Sequence, residues 1–503
     1  SGEKKSKNSK MKSPNQETSS HTRNCFNAKF ENLKTKVGDI SKLTKQLAKD
    51  DPRRIVHTIK VGFAITLVSL FYYFDPFYNG LGVDAMWAVL TVVVVFKFSV
   101  GATLRKGVNR VVATVLGGFS AVGAHKLSSL PEEKLPMLEP LFLGLSVFLT
   151  AGVMTFIRFF PKIKTRFDYG LSIFILTFSL ICVSGYRTDE ILDMASRRIT
   201  TILIGTSTAV IVYVVICPVW AGSDLHSLAA TNLEILADFF QEFGGEYLKA
   251  SSDAFSKDNN KLTLDRLKKV VDSKNNVDSL FNLAMWEPRH RHFKYDHPWT
   301  QYQNISELAR RCACRAEVLH SFLYTQVQTP TEVKAKFREA CMMMSTESGK
   351  ALKELSLAIK RMNQPSNANH HVQNAKQAAE NLYPLLRSNI RENLNLSDVK
   401  LAATVATILA DVVACTEEIA KAVQELASLA KFKDKNNTVV DGRAACGINR
   451  NKLANQGSIN RSYLNNNQLI IIHDGDSSPL CSPKISISDQ DPPSLAIAQQ
   501  NAE

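Results

Sequence analysis

The stretch that decides the fold is Met86–Arg110, MWAVLTVVVVFKFSVGATLRKGVNR. The apolar run from Val83 to Thr103 has about the ~20 residues that a helix needs to cross a hydrocarbon core of ~30 Å. Lys97 interrupts this run. A charge near one end of a crossing helix either faces a water-filled path or extends to the lipid headgroups, and the sequence leaves both interpretations open.

Similar apolar runs fill residues 51–220, whereas the rest of the chain is polar. Hydropathy predicts six membrane spans: Ile55–Tyr73, Val83–Thr103, Val108–His125, Leu138–Phe160, Phe167–Tyr186 and Arg198–Val219. Glycines inside the spans, such as Gly117, Gly118 and Gly205, are interpreted as sites of close helix packing rather than as hinges. The predicted fold class is an all-α membrane protein, with six transmembrane helices followed by a cytosolic helical bundle.

Basic residues predict the orientation of the spans. Residues 1–54 hold 14 Lys and Arg against 6 Asp and Glu, and further basic residues lie in the second and fourth loops. Because cytoplasmic segments carry an excess of Lys and Arg, both termini are predicted to be cytoplasmic. The basic arm suits an anionic lipid leaflet, and no nucleic-acid-binding motif accompanies it, so no nucleic acid partner is expected.

Composition divides the chain into four predicted parts. These are a mostly disordered basic arm (1–50) with a short surface helix at Ser41–Asp50, a six-span membrane domain (51–220), a cytosolic helical domain (221–432) and a disordered tail (433–503) in which only Leu469–Ile472 is expected to pair transiently. The bundle helices are predicted at Leu225–Leu248, Lys261–Asn282, Gln301–Tyr324, Glu332–Met362, His371–Ile390 and Ser397–Leu429.

No residue pattern indicates an enzyme. The nine cysteines are scattered without a CxxC pair, and no HExxH, GxSxG or kinase motif occurs. His290, His292 and His297 lie close together, but their spacing does not fit a helical metal site, and a structured loop packed on the bundle is the preferred interpretation. No cofactor and no resident metal are expected.

Basic residues in the membrane block are the candidate functional residues. Arg198 shares a helical stripe with Ile202, Gly205 and Ala209, and this narrow face leaves room for a second helix or for a lumen. Because rings of Arg or Lys commonly form anion pores, Arg198 is predicted to face a pore, whereas Arg197 is predicted to pair with acidic residues at the surface. The predicted pore or anion-binding residues are Arg198, Arg187, Lys97 and Arg105.

Acidic residues on the side of the membrane opposite the basic arm form a weaker candidate site. Asp189 and Asp193 lie one helical turn apart, and Asp84 is predicted on the same side of the membrane. Clustered carboxylates suit a hard cation, so an extracellular cation or regulatory cluster is one hypothesis. The alternative is a solvated loop whose charges are balanced by arginines.

Long motifs resemble the plant aluminium-activated malate transporter family. They are MWAVLTVVVVFKFSVGATLRKGVNR (86–110), RFFPKIKTRFDYG (158–170), FILTFSLICVSGYRTDEI (174–191), CPVWAGSDLHSL (217–228) and WEPRHRHFKYDHPWTQY (286–302), the last of which contains the family's Trp-Glu-Pro signature. The resemblance implies a homodimeric anion channel with six spans and a cytosolic helical domain. It also implies that Arg198 is the family's pore-lining arginine and Arg187 the arginine ending span five. Lys97 stands where family members usually have Glu.

The function expected from these observations is a dimeric channel that passes malate and other organic or inorganic anions across a plant membrane. The plasma membrane is favoured over the vacuolar membrane. One alternative is a carrier that exports aromatic or other organic acids by alternating access. A second alternative is a membrane-anchored interaction protein whose helical bundle is the working part.

Overall fold

The computed structural model describes residues 34–49, 51–73, 85–128, 138–185, 191–246, 257–290, 293, 297–323, 331–382, 384 and 396–433. Within these ranges the chain is α-helical apart from turns and two isolated β-bridges. The predicted pairing at Leu469–Ile472, and the whole tail beyond residue 433, lie outside the described residues.

A helix at 34–49 precedes the membrane block. The predicted surface helix began at Ser41, and the preceding residues were expected to be disordered. That boundary was wrong by about two turns, because the apolar spacing of the segment continues back through Ile40 and Val37.

The next described helices correspond to the predicted spans. They are Arg53–Tyr73 (α1), Ala85–Val95 (α2), Val100–Ser128 (α3), Leu138–Ile157 (α4), Pro161–Gly185 (α5) and Ile191–Val215 (α6). Among the described helices, four (α3 to α6) are long and apolar enough to cross a membrane. The 11 residues of α2 extend for only about 16 Å, which is too short for a crossing by α2 alone. The described part of the chain is therefore helical with four candidate spans, and six spans stay a prediction.

The second predicted span is not one continuous helix. The chain turns between α2 and α3, where the Ser99 hydroxyl accepts a hydrogen bond from the Ala102 N–H (3.2 Å). The Thr103 hydroxyl accepts another from the Lys97 N–H (3.1 Å). Ser99 thus caps the start of α3, and hydropathy misses the break because the capping residues lie inside an apolar stretch. The prediction of a single helix across Val83–Thr103 was wrong.

Small residues allow the membrane helices to pack closely. A Cβ on Gly205 of α6 would lie 2.6 Å from the Ala88 carbonyl oxygen of α2, and a Cβ on Gly117 of α3 would lie 3.1 Å from the Phe174 carbonyl oxygen of α5. The packing interpretation of these two glycines is confirmed. In contrast, α4 leaves Phe148 and other large apolar side chains exposed, as a lipid-facing helix does.

The helical bundle follows. Its described helices are Ala221–Glu246 (α7), Lys257–Val271 (α8), Lys274–Ala284 (α9), Trp299–Leu323 (α10), Thr331–Arg361 (α11), Ala368–Glu380 (α12) and Leu396–Leu429 (α13). One apolar core joins them, from Leu225 to Phe432. The helix predicted at Lys261–Asn282 is instead two helices, because the chain breaks at Asp272-Ser273. The helix predicted at His371–Ile390 begins three residues earlier, at Ala368, and α12 ends at Glu380.

The bundle meets the membrane helices at Glu287, which belongs to the loop after α9. The Glu287 carboxylate accepts hydrogen bonds from the N–H groups of Ala221 (2.6 Å) and Gly222 (2.9 Å) at the start of α7. It also accepts one from the Gly101 N–H in the first turn of α3. Since the first N–H groups of a helix have no partner within it, one buried side chain satisfies donors from two helices.

Neighbouring contacts complete this junction. The Val100 N–H donates to the Val219 carbonyl oxygen (3.0 Å), so α3 is tied directly to the segment that precedes α7. The junction leaves no room for a side chain at Gly101 or Gly222. A Cβ at Gly101 would lie 2.2 Å from the Leu283 carbonyl oxygen, and one at Gly222 would lie 2.4 Å from the Trp299 ring.

Burial governs the charge of Glu287. Its side chain is 1% exposed. Loss of hydration raises the pKa of Glu287 to about 7, although the three backbone hydrogen bonds act in the opposite direction. The junction therefore contains a carboxyl group that titrates near neutral pH.

This pKa predicts a pH-dependent stability that the Glu287→Gln variant lacks. The unfolded carboxyl titrates near its ordinary value of 4.5 and the folded carboxyl near 7, so between these values the folded state holds a proton that the unfolded state has released. Raising the pH through this window should destabilise the wild type by up to about 3 kcal/mol, and above it the loss is complete. The apparent unfolding temperature of detergent-solubilised protein, followed by intrinsic fluorescence, measures this effect.

Glu425→Gln provides a control, because Glu425 is exposed. This control should follow the wild type at each pH, whereas the Glu287→Gln profile should be flatter. Parallel profiles for all three proteins would show that the two helix N-termini keep Glu287 ionised in the folded state.

Candidate anion-binding site

Arg198 lies near the start of α6, on the side of the membrane block away from the bundle. Its guanidinium carbon is 4.1 Å from the centroid of the Trp87 ring on α2. The stripe below it is buried, and Gly205 in that stripe packs against Ala88 and Thr91 of α2. A second helix of the same chain therefore covers the small-residue face. The arginine is half-buried at the edge of this contact.

The acidic residues near α6 are only partly described. Arg197 forms an ion pair with Asp193 (Nε–Oδ2 2.8 Å), and both side chains are 46% exposed. The predicted pairing of Arg197 is confirmed. Arg187, Asp189 and Asp84 lie outside the described residues, and among the described ones no group of three His, Cys, Asp or Glu side chains could hold a metal ion. The cation cluster stays a prediction.

Lys97 lies in the turn between α2 and α3, and its side chain is exposed. The predicted span placed Lys97 inside a membrane helix, but in the structure it lies outside one. The turn adjoins the junction with the bundle, because Val100 and Gly101, which follow it, bond to the Val219 carbonyl oxygen and the Glu287 carboxylate. The Tyr213 hydroxyl of α6 also donates a hydrogen bond to the Phe98 carbonyl oxygen in the turn.

Two basic residues of α3 contact Tyr169 of α5. Arg110 is 4% exposed, and its Nη1 donates to the Tyr169 hydroxyl (3.0 Å). Lys106 lies over the same ring, with Nζ 4.8 Å from the centroid. Arg105 precedes them on α3 and is half-buried. These residues place three positive charges within the first three turns of α3.

Arg110 has unused hydrogen-bonding capacity. Its Nε has no hydrogen-bond partner, and within the described ranges no carboxylate lies at ion-pair distance from its guanidinium. Burying a charge without a counterion is costly, and five N–H donors in a planar fork match a carboxylate well. The arrangement can therefore bind an anionic group.

Arg110 is not among the pore residues predicted from the sequence. The available signal was its position inside the third predicted span, where an arginine is rare. Lys60 of α1, which also lies inside a predicted span, is not among the predicted residues either. It is fully buried, its ammonium donates to the Cys217 carbonyl oxygen (2.7 Å), and it lies over the Tyr213 ring. Lys60 thus joins α1 to the end of α6.

The histidine-rich loop packs on the bundle. His290 stacks on Trp220 with ring centroids 3.8 Å apart. His297 and His226 both form hydrogen bonds with the Tyr302 hydroxyl (3.1 and 2.9 Å), and burial lowers the pKa of His297 to about 4. The structured-loop interpretation is confirmed for His290 and His297, while His292 lies outside the described residues.

Comparison with known proteins gives a consistent result. The family "Aluminium activated malate transporter" matches residues 45–400. The chain is 48% identical over 402 residues to aluminum-activated malate transporter 2 of Arabidopsis thaliana, covering 80% of each chain. It is 45% identical over 401 residues to aluminum-activated malate transporter 1 of Triticum aestivum, covering 78% of this chain and 85% of the relative.

A third relative, aluminum-activated malate transporter 7 of Arabidopsis thaliana, is 44% identical over 428 residues, covering 80% of this chain and 84% of the relative. Relatives of this kind are named as transporters rather than as enzymes. The family match covers well over half of the chain, and it includes the membrane helices, the junction and most of the bundle. The chain belongs to the aluminium-activated malate transporter family.

Proposed function

We propose that this protein is an anion channel subunit that passes malate and other organic or inorganic anions. The observation that carries the proposal is the buried guanidinium of Arg110, which retains a donor without a partner inside a helix long enough to cross a membrane. Selectivity for anions then arises from the field of fixed arginine and lysine residues, and no catalytic group is needed.

Arg110 and Arg198 lie at different depths in the proposed path. Arg110 is ten residues into α3, about 15 Å from the end that meets the bundle, whereas Arg198 is 17 residues from the end of α6, about 25 Å from the same side. Sites at successive depths favour conduction, because each holds an anion weakly enough to release it to the next. Arg105, Lys97 and Arg187 add positive potential near the mouths of the path.

The remaining features of the proposal follow the sequence analysis. The channel is a homodimer in a lipid bilayer, in which a two-fold axis places two copies of Arg198 around one pathway to match the two charges of malate. Residues 1–50 and 433–503 are cytosolic tails, 51–220 form the six-span channel domain and 221–432 the cytosolic helical domain. Both termini are cytoplasmic, and the plasma membrane is the proposed location.

Electrical recording distinguishes a channel from an alternating-access carrier or a membrane-anchored interaction protein. In excised patches containing the protein, we expect unitary current steps whose reversal potential follows the malate gradient and shifts when nitrate or chloride replaces malate. Malate flux without resolvable steps would support the carrier. Currents no larger than those of patches lacking the protein would refute anion transport and leave the interaction protein.

Substitution of two adjacent arginines tests which of them faces the path. Arg198→Ala should reduce malate current roughly tenfold or more, because it removes charge-assisted hydrogen bonds worth about 1.5–3 kcal/mol. Arg198→Lys should recover part of the current, since the charge remains but the guanidinium fork is lost. Arg197→Ala should have a smaller effect, because Arg197 is already paired with Asp193.

Whole-cell currents at matched surface expression provide the measurement. If Arg197→Ala and Arg198→Ala reduced the malate current equally, the assignment of Arg198 to the path would fail. An undiminished current in Arg198→Ala, with normal expression, would show that Arg198 packs on Trp87 without contacting the transported anion.

A further inference from the structure

The helix at 34–49 is attached to the membrane block at a defined point. The Asp51 N–H donates to the Leu47 carbonyl oxygen (3.2 Å), and the Asp51 carboxylate accepts a hydrogen bond from the Arg53 N–H (3.0 Å) at the start of α1. Arg53 in turn forms an ion pair with Asp224 of α7 (3.1 Å). The helix therefore ends at the boundary between the membrane helices and the bundle.

One face of this helix is apolar and exposed. Its large apolar side chains are spaced by three, three and four residues, and each is exposed to solvent: Val37 (59%), Ile40 (62%), Leu43 (58%) and Leu47 (38%). At 100° per residue these four side chains lie within about 60° of Ile40 around the helix axis. Four exposed apolar side chains in one stripe are unfavourable in water and need a covering surface.

The opposite face is basic. Lys42, Lys45 and Lys49 lie about 140–180° from Ile40. Over residues 34–49 the chain has five lysines and one aspartate, a net charge of +4. Lys36 lies about 40° from Ile40, within the apolar stripe near the start of the helix, where a long side chain can bury its methylene groups and extend its ammonium to a polar boundary. An apolar stripe bordered by lysines is complementary to an anionic lipid surface.

We infer that the helix at 34–49 lies in the plane of the adjacent anionic leaflet, with Val37, Ile40, Leu43 and Leu47 inserted among the acyl chains and the lysines at the phosphate level. Three observations carry the inference: the exposed stripe, the net charge, and the attachment at the start of α1. The helix holds the start of α1, and with it the Arg53–Asp224 ion pair, at the membrane surface.

Spin labelling of the full-length protein in nanodiscs tests this placement. Cysteine is introduced singly at Ile40 or Leu43, or at the matched controls Lys42 and Lys45, in a background whose other reactive cysteines are replaced by serine. The discs contain phosphatidylcholine with about 30% phosphatidylserine. The ratio of collisions with dissolved oxygen to collisions with a water-soluble nickel chelate reports the depth of each label.

We expect this ratio to be roughly threefold or more higher at positions 40 and 43 than at 42 and 45, because oxygen concentrates in the acyl region. The contrast should decrease in discs of pure phosphatidylcholine.

Equal ratios at all four positions would place the helix in water and overturn the inference. Spin–spin broadening at position 40 would assign the stripe to a second copy of the chain, and a contrast independent of phosphatidylserine would exclude the anionic surface. The readout involves no transport, so it is independent of the proposed function.

Discussion

The structure depends on the hydrogen bonds that the Glu287 carboxylate accepts from two helix N-termini. Through Ala221 and Gly222 it fixes the start of α7, and through Gly101 it fixes the start of α3. Helix dipoles favour a carboxylate at their positive ends, but burial opposes its ionisation and raises the pKa of Glu287 to about 7, so the group holds the two helices in both protonation states. Because α3 also carries Arg105, Lys106 and Arg110, the bundle determines where these positive charges lie. A movement of the bundle would therefore be transmitted to the basic helix.

Several of the described arginines differ in the kind of partner that they contact. Arg53, Arg158 and Arg197 form ion pairs with Asp224, Asp168 and Asp193, and their side chains are partly exposed. Such pairs contribute little to stability and leave little net charge. Arg110 donates to the Tyr169 hydroxyl, and the Arg198 guanidinium lies over the Trp87 ring. A hydroxyl partner positions the Arg110 guanidinium without neutralising it, so this part of α3 keeps a positive charge.

Much of the fold could be predicted from local patterns. Apolar runs located the membrane helices, and amphipathic spacing located the bundle helices to within a few residues at most ends. The failures have physical causes. The break at Phe96–Ser99 depends on side-chain caps that hydropathy averages away, and the cover over Gly205 comes from α2, a helix more than 100 residues earlier in the chain.

The candidate site was less predictable than the fold. Arg198 was identified from its stripe, but the burial of Arg110 could not be read from its neighbours in sequence, because Tyr169 lies on a different helix. The role of Glu287 could not be predicted from the sequence either. The Trp-Glu-Pro motif can be recognised by resemblance, yet its partners at Gly101 and Ala221 are distant in sequence, and only the folded chain brings them together.

The proposed binding of the transported anion by Arg110 is tested most directly by the concentration dependence of malate uptake into proteoliposomes. We expect Arg110→Gln to raise the half-saturating malate concentration roughly tenfold or more. Lys126→Gln, which removes one charge from the exposed far end of α3, should leave it within about twofold. Equal half-saturating concentrations for wild type and Arg110→Gln, in proteins of equal thermal stability, would show that Arg110 does not bind malate.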